Sequence, residues 1–374
     1  MTVSTRLRRR LLCTAVAALT VGALAACATV EAPSTVAPSS VAPTTGTSPE
    51  PATSLPLPDP RSLRGSSTAA PVASVEPIET VVEPQLPVTV TDIDGTSVTI
   101  TDVSRIIALD LYGTLAQTVV GLGLGDNLVG RGSTNTMDSM ADLPVVTQDG
   151  HQLNGEAILA LEPTIVLTDT SIGPREVQDQ LRDSGVTVVF FEPQRSLDSV
   201  AEQITDVAAA LGVNEAGGEL VERSLAEIDD ATADIAAMAP ANAADKLRVA
   251  FLYVRGNGSV FFILGEGMGA DDLISSLGAV DIASEAGITG AKPANSEALL
   301  ALNPDLVLVM SSGLESTGGL DGLLGRPGMS DTIAGQNRRV VDMNDGQILS
   351  FGPTTGAILR SLADAIYAPT ELRP

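Results

Sequence analysis

Tryptophan is absent from this 374-residue chain, histidine occurs once, and the only two cysteines stand at positions 13 and 27. Both cysteines precede the globular part, so the folded body has neither a disulfide framework nor a Cys-ligated metal or cluster. A lone imidazole excludes His-rich zinc sites and any site that needs two of them. Aromatics make up 2% of residues against 44% apolar overall, so a large core must be aliphatic. Basic residues are scarce too: 21 Lys and Arg face 46 Asp and Glu, for a formal charge of −25. Arg6, Arg8, Arg9 and Arg10 all fall before residue 28, which leaves the remainder more acidic still. No basic stripe is left to neutralise phosphates, and nucleic acid is excluded as a partner. An exported hydrolase is disfavoured as well: there is no G-x-S-x-G, no Cys nucleophile in the body and one His for any triad. The chain does not read as an enzyme.

Arg6–Arg10 form a basic stretch, and Leu11–Leu24 an apolar run. That run is shorter than the ~20 residues a permanent span requires. Leu24-Ala25-Ala26-Cys27 follows, and residues 1–27 resemble a bacterial lipoprotein signal in which Cys27 is lipidated on sulfur. Acyl chains would then hold the mature protein to the outer face of the cell membrane without spanning it. Residues 28–87 are rich in Pro, Ser, Thr, Ala and Val and carry no helical or strand period. They read as a disordered tether, with a flexible-coil reach of roughly 45 Å.

The body reads as two α/β lobes, 88–212 and 240–374, with a single long linking helix over 213–239. Val88–Thr101 alternates around Asp94-Gly95, the pattern of a hairpin with a type I′ turn. Arg105–Leu109, Thr164–Thr168 and Val186–Phe191 have the continuous apolar character of buried parallel strands. Leu197–Leu211 reads as a helix, and Val213–Met238 as a longer one closed by Pro240. Strand–helix alternation restarts at Leu247–Tyr253.

A block repeats. Asn154-Gly155-Glu156-Ala157-Ile158-Leu159-Ala160-Leu161-Glu162-Pro163 returns as Asn295-Ser296-Glu297-Ala298-Leu299-Leu300-Ala301-Leu302-Asn303-Pro304. Each copy predicts a helix capped by Asn, with Glu at the positive end of its dipole and Pro opening the next strand. One such duplication indicates paired lobes rather than a solenoid.

These blocks resemble the ABC-importer binding proteins for cobalamin, ferric siderophores and haem. So do Arg105–Leu109, the Leu-Gly-Leu-Gly-Asp turn at 122–126 and Phe351-Gly352-Pro353-Thr354. Such proteins have the class III periplasmic-binding-protein fold: two Rossmann-like α/β lobes on one rigid helix, with ligand between them. The resemblance covers about residues 88–368. It is narrower toward haemin-binding lipoproteins of the HmuT type, on the strength of Tyr253-Val254-Arg255-Gly256 and the lone His151.

The resemblance implies an extracytoplasmic protein that captures ferric haem, Fe(III) protoporphyrin IX, and delivers it to an ABC permease dimer. Upstream cell-surface haem-binding proteins would be its source, and a ferric siderophore or cobalamin is the alternative cargo. Tyr253 and Arg255, two apart on a strand, leave the same face. A phenol with an ordinary pKa of about 10 ligates poorly at neutral pH, but a neighbouring guanidinium favours its anion and ferric iron favours an anionic oxygen. By resemblance Tyr253 is one axial ligand, Arg255 its hydrogen-bonding partner and His151 the other axial ligand. The residues alone fit equally a packing Tyr, a solvated Arg and a surface His. Glu156 and Glu297 meet Arg pockets on the permease in the resembling family, and otherwise are helix-start acids. Gly265-Glu266-Gly267-Met268-Gly269 lacks dinucleotide spacing, although its amides fit a propionate at a helix start. Tyr112 lies where the cleft opens, with no role assigned. Met268, Met310 and Phe351 suit either a cleft wall or the core.

Overall fold

The computed structural model describes residues 57–148, 151–256 and 260–373. The signal, Cys27 and the tether as far as residue 56 lie outside the described residues. Four parallel strands form the N-terminal sheet, in the spatial order Leu128–Gly130, Ile106–Leu109, Ile165–Thr168, Thr187–Phe190. The two middle strands are buried at every position, as apolar runs covered on both faces should be. The second sheet runs Ser67–Thr68, Val340–Met343, Leu306–Met310, Arg248–Arg255, Val260–Leu264, Ala291–Pro293, with Val280–Asp281 beside the start of Arg248–Arg255. Its pairings are parallel as far as Arg248–Arg255 and antiparallel beyond it.

Between the sheets runs the helix Asn214–Met238, packed against Val200–Leu211 and the final helix Thr355–Tyr367. Leu220, Ser224, Ile228, Ala231 and Ile235 form its buried stripe, at the three- and four-residue spacing that keeps one face inward. Both repeat helices form as expected. Asn154 accepts from the Ala157 amide at 3.1 Å, and Asn295 from the Ala298 amide at 2.9 Å. The mixed α/β architecture with its long connecting helix is the fold class the sequence predicts.

Two expectations need correction. The hairpin Val88–Thr91/Ser97–Ile100 forms, but Thr91 pairs with Ser97, so its loop is longer than a type I′ turn. The Asp92 carboxylate organises that loop by accepting from the amides of Asp94 and Thr96. Only Gly95 takes positive φ there, whereas a type I′ turn needs two such residues.

The second correction concerns the tether. Residues 57–87, read as disordered, are ordered and packed. Ser67–Thr68 adds an edge strand beside Val341-Asp342. The buried guanidinium of Arg339 donates to Ser67 Oγ at 2.9 Å and to the carbonyls of Ala365 and Ile366, which pins this strand to the final helix. Burial without an acid partner lowers the Arg339 pKa to about 10. The chain next exchanges hydrogen bonds between Val72 and Gln347, and buries Val75 and Ile78. Ile78 donates to the Gly121 carbonyl, and Gln85 to that of Gly212. An extended, Pro-rich strap thus runs from the second sheet to the first lobe. It shows no period because isolated apolar side chains anchor it, not a repeating face.

Ile78→Ala should lower the unfolding free energy by about 2–4 kcal/mol, read from denaturant midpoints. Equal stability for Ile78→Ala would mean the strap is detached in solution.

Candidate functional site

Strand register builds the site. Tyr253 pairs with Phe262 across the antiparallel edge, and Leu264 pairs with Ala291, so all four side chains share one face. Arg255 follows Tyr253 on that face. Met310 ends the neighbouring parallel strand, and Asp345 lies just past Val340–Met343. From the first lobe come Leu111 and Tyr112, directly after the strand Ile106–Leu109, and Thr134. Together with Met268 and Leu349 these residues line a cavity of about 310 Å³. It opens at the carboxyl ends of parallel strands, where open α/β sheets bind ligands.

The polar groups are few. The Arg255 guanidinium carbon lies 4.9 Å from the centroid of the Tyr253 ring. Arg255 Nη2 is 2.5 Å from Asp345 Oδ2, and Nη1 donates to the Val254 carbonyl at 3.0 Å. The cation therefore stacks on the phenol's face, and its direct partner is Asp345. The expected hydrogen bond from Arg255 to the Tyr253 hydroxyl is not among the contacts of the described residues.

Tyr112 enters the cavity beside a buried charge cluster. Asp110 and Asp169 end adjacent parallel strands, and Arg195 Nη2 reaches both, at 3.3 and 2.5 Å. Asp110 also caps the following helix, accepting from the amides of Thr114 and Leu115. One guanidinium serves two carboxylates. Burial, aided by the Asp110 charge and opposed by Arg195 and the Ser171 hydrogen bonds, pushes Asp169 up to about 6. Burial likewise pushes Tyr112 up to about 12, so it is a neutral hydroxyl at physiological pH.

Tyr253 and Arg255 thus share the cavity with Tyr112, Met268 and Met310, while Phe351 is buried in the core. His151 is not brought to it. It sits exposed in the turn between Thr147–Gln148 and Gln152–Leu153, its carbonyl accepting from Gly173. Glu156 and Glu297 are exposed in the first turns of their helices and form no ion pair among the described residues. The amides of Gly265, Glu266, Gly267 and Met268 have partners within the protein. Asp271 and Asp272 occupy the first turn after the Gly265–Gly269 segment, and Asp271 accepts from the Gly267 amide. Its contribution is Met268. Sequence reading missed Asp345 and Phe262. Asp345 carried one signal, its place in Asn344-Asp345-Gly346 at the end of a parallel strand. Among the described residues, no three His, Cys, Asp or Glu side chains gather to hold a bare metal ion.

Asp169 generates a pH prediction. The folded protein holds its proton more tightly than the unfolded chain, so this group costs stability as the pH rises from about 4 to about 6. Asp169→Asn should flatten that fall in melting temperature. An unchanged slope would contradict the raised pKa.

Comparison with known proteins places this geometry. The family model for periplasmic binding proteins matches residues 109–345. The crystal structure of the haem-binding protein HmuT is 50% identical in sequence, covers 83% of this chain and all of its own, and superposes with a TM-score of 0.81. HmuT has also been solved with a histidine, a tyrosine, or an arginine two positions beyond that tyrosine replaced by alanine. The periplasmic haem-binding protein RhuT from Roseiflexus sp. RS-1 is 36% identical over 71% of this chain and 98% of its own, with a TM-score of 0.65. An uncharacterised ABC transporter substrate-binding lipoprotein of Bacillus subtilis, YvrC, is 25% identical over 76% of this chain and 87% of its own. The architecture, the strand-end cavity and these matches lead to one conclusion: the chain belongs to the periplasmic binding protein family.

Proposed function

We propose that this protein captures ferric haem outside the cytoplasm and passes it to an ABC importer. The observation that carries this reading is Tyr253 with Arg255 stacked on its ring, on the wall of an apolar cavity lined from both lobes. The pair has the Tyr-x-Arg spacing of the positions substituted in HmuT. A cavity with apolar walls and few polar groups suits a porphyrin, and a single phenol suits iron whose equatorial positions are already filled by it. Ferric iron favours an anionic oxygen such as a phenolate, and the Arg255 cation lies beside this one.

In this reading Tyr253 is the principal axial ligand. His151, from the exposed turn of the other lobe, supplies the second axial bond and is the first to let go when the lobes part. Tyr253→Phe should lower haem affinity by more than the roughly 10–100-fold typical of losing a residue that only supports a metal ligand, because it removes the ligand itself. It should also abolish the phenolate-to-iron charge-transfer band. His151→Ala should cost less. The reverse order would contradict the ranking, and no spectral change with stoichiometric haem would turn the reading toward a siderophore or cobalamin.

Glu156 and Glu297 dock the two lobes on a two-fold permease, since equivalent exposed acids on duplicated helices suit identical cationic pockets. Reversing both charges should leave haem binding intact and cut uptake roughly tenfold, as charged rim contacts govern association. Intact uptake would remove this assignment. Lipid on Cys27 holds the protein at the membrane, so Cys27→Ser should move it to the soluble fraction.

A further inference from the structure

We infer that Asp345 is the positioning residue of this site: it holds the Arg255 guanidinium against the face of Tyr253 and so sets the charge the phenolate meets. The inference rests on the reading of Tyr253 as the iron ligand and deepens it.

Arg255, whose side chain keeps 33% of its surface exposed, is held by five neighbours. Its Nη2 meets Asp345 Oδ2 at 2.5 Å and Met310 Sδ at 3.6 Å, and its Nη1 meets the Val254 carbonyl at 3.0 Å. A side chain on Gly313 has no room, since a Cβ there would lie 2.4 Å from Arg255 Nη1 and 2.6 Å from the Val254 oxygen. The fifth neighbour is the Tyr253 ring. Among the described residues Asp345 is the only acid paired with Arg255. It is itself held, because its Oδ1 accepts from the Ser312 amide at 2.9 Å, at the start of the helix Ser311–Ser316.

The geometry therefore forms a chain: the Ser312 amide fixes Asp345, Asp345 fixes Arg255, and Arg255 lies on Tyr253. A long Arg side chain at a cavity mouth has many rotamers, and its ordering needs an anchor. The contacts to a thioether and one neutral carbonyl are weaker than a hydrogen bond in which both the guanidinium and the carboxylate are charged. Without Asp345 the guanidinium is free to leave the ring for water. The phenolate would then keep its iron but lose the nearby cation, which raises the energy of its electrons and lowers that of its charge transfer to ferric iron.

The test loads the full-length protein with ferric haem and records the phenolate-to-iron charge-transfer band, with thermal melting as a check on folding. Asp345→Asn should move the band to lower energy by most of the displacement seen for Arg255→Ala. The double variant should add nothing further, because both substitutions remove one interaction. Asp345→Glu should restore most of the original position. Gly313→Ala should shift the band in the same direction by displacing Arg255 sterically, with no change in charge. A band unmoved by Asp345→Asn, moved to higher energy, or moved additively in the double variant would overturn the role of Asp345. Absence of any such band in the unsubstituted protein would instead sink Tyr253 ligation, and this role with it.

Discussion

A guanidinium held against an aromatic ring at the mouth of an apolar cavity is costly to desolvate, and the arrangement at Tyr253 persists because that cost is offset locally. Asp345 neutralises the charge, the Val254 carbonyl and Met310 Sδ fill two more directions, and Gly313 leaves the volume. All of this depends on one strand. Arg248–Arg255 pairs in parallel with Leu306–Met310 on one edge and antiparallel with Val260–Leu264 on the other. The parallel edge places Met310 and Asp345 at the strand's carboxyl end, and the antiparallel edge brings Phe262 opposite Tyr253. Shifting that strand by one residue would turn both Tyr253 and Arg255 away from the cavity.

The first lobe answers with a different electrostatic arrangement. Asp110, Asp169 and Arg195 form a buried cluster with one carboxylate in excess, beneath a Tyr112 that burial keeps protonated. One wall of the cavity thus carries a phenol beside a cation, the other a phenol beside surplus negative charge. The lobes also meet outside the cavity lining: the Leu197 amide donates to Asp272, and the Thr354 hydroxyl to Gln117 at 3.0 Å. The strap adds a second covalent crossing beside the linking helix, tied to the second sheet at Ser67 and to the first lobe at Ile78 and Gln85.

What was legible in the sequence was local. The two Asn-capped repeat helices, the continuous apolar strands and the long helix follow from spacing and composition, and the Tyr253–Arg255 pair follows from strand alternation. What stayed hidden was long-range. Asp345 reaches Arg255 only because the parallel sheet sets two distant strand ends side by side. The strap from 57 to 87 has the composition of a disordered segment, and its order comes from a groove that exists only in the folded body. His151 shows another limit: its rarity singles it out, but its exposed turn lies outside the cavity lining, and its ligand role rests on the resemblance. The hairpin loop was misread because Asp92, outside the central dipeptide, organises the turn.

The most direct test is a crystal structure of residues 57–374 grown with ferric haem. The account predicts porphyrin in the cavity between the lobes, its iron bonded to the Tyr253 oxygen and the Arg255 guanidinium still over the ring. Porphyrin bound elsewhere, or a Tyr253 hydroxyl turned away from the iron, would contradict it.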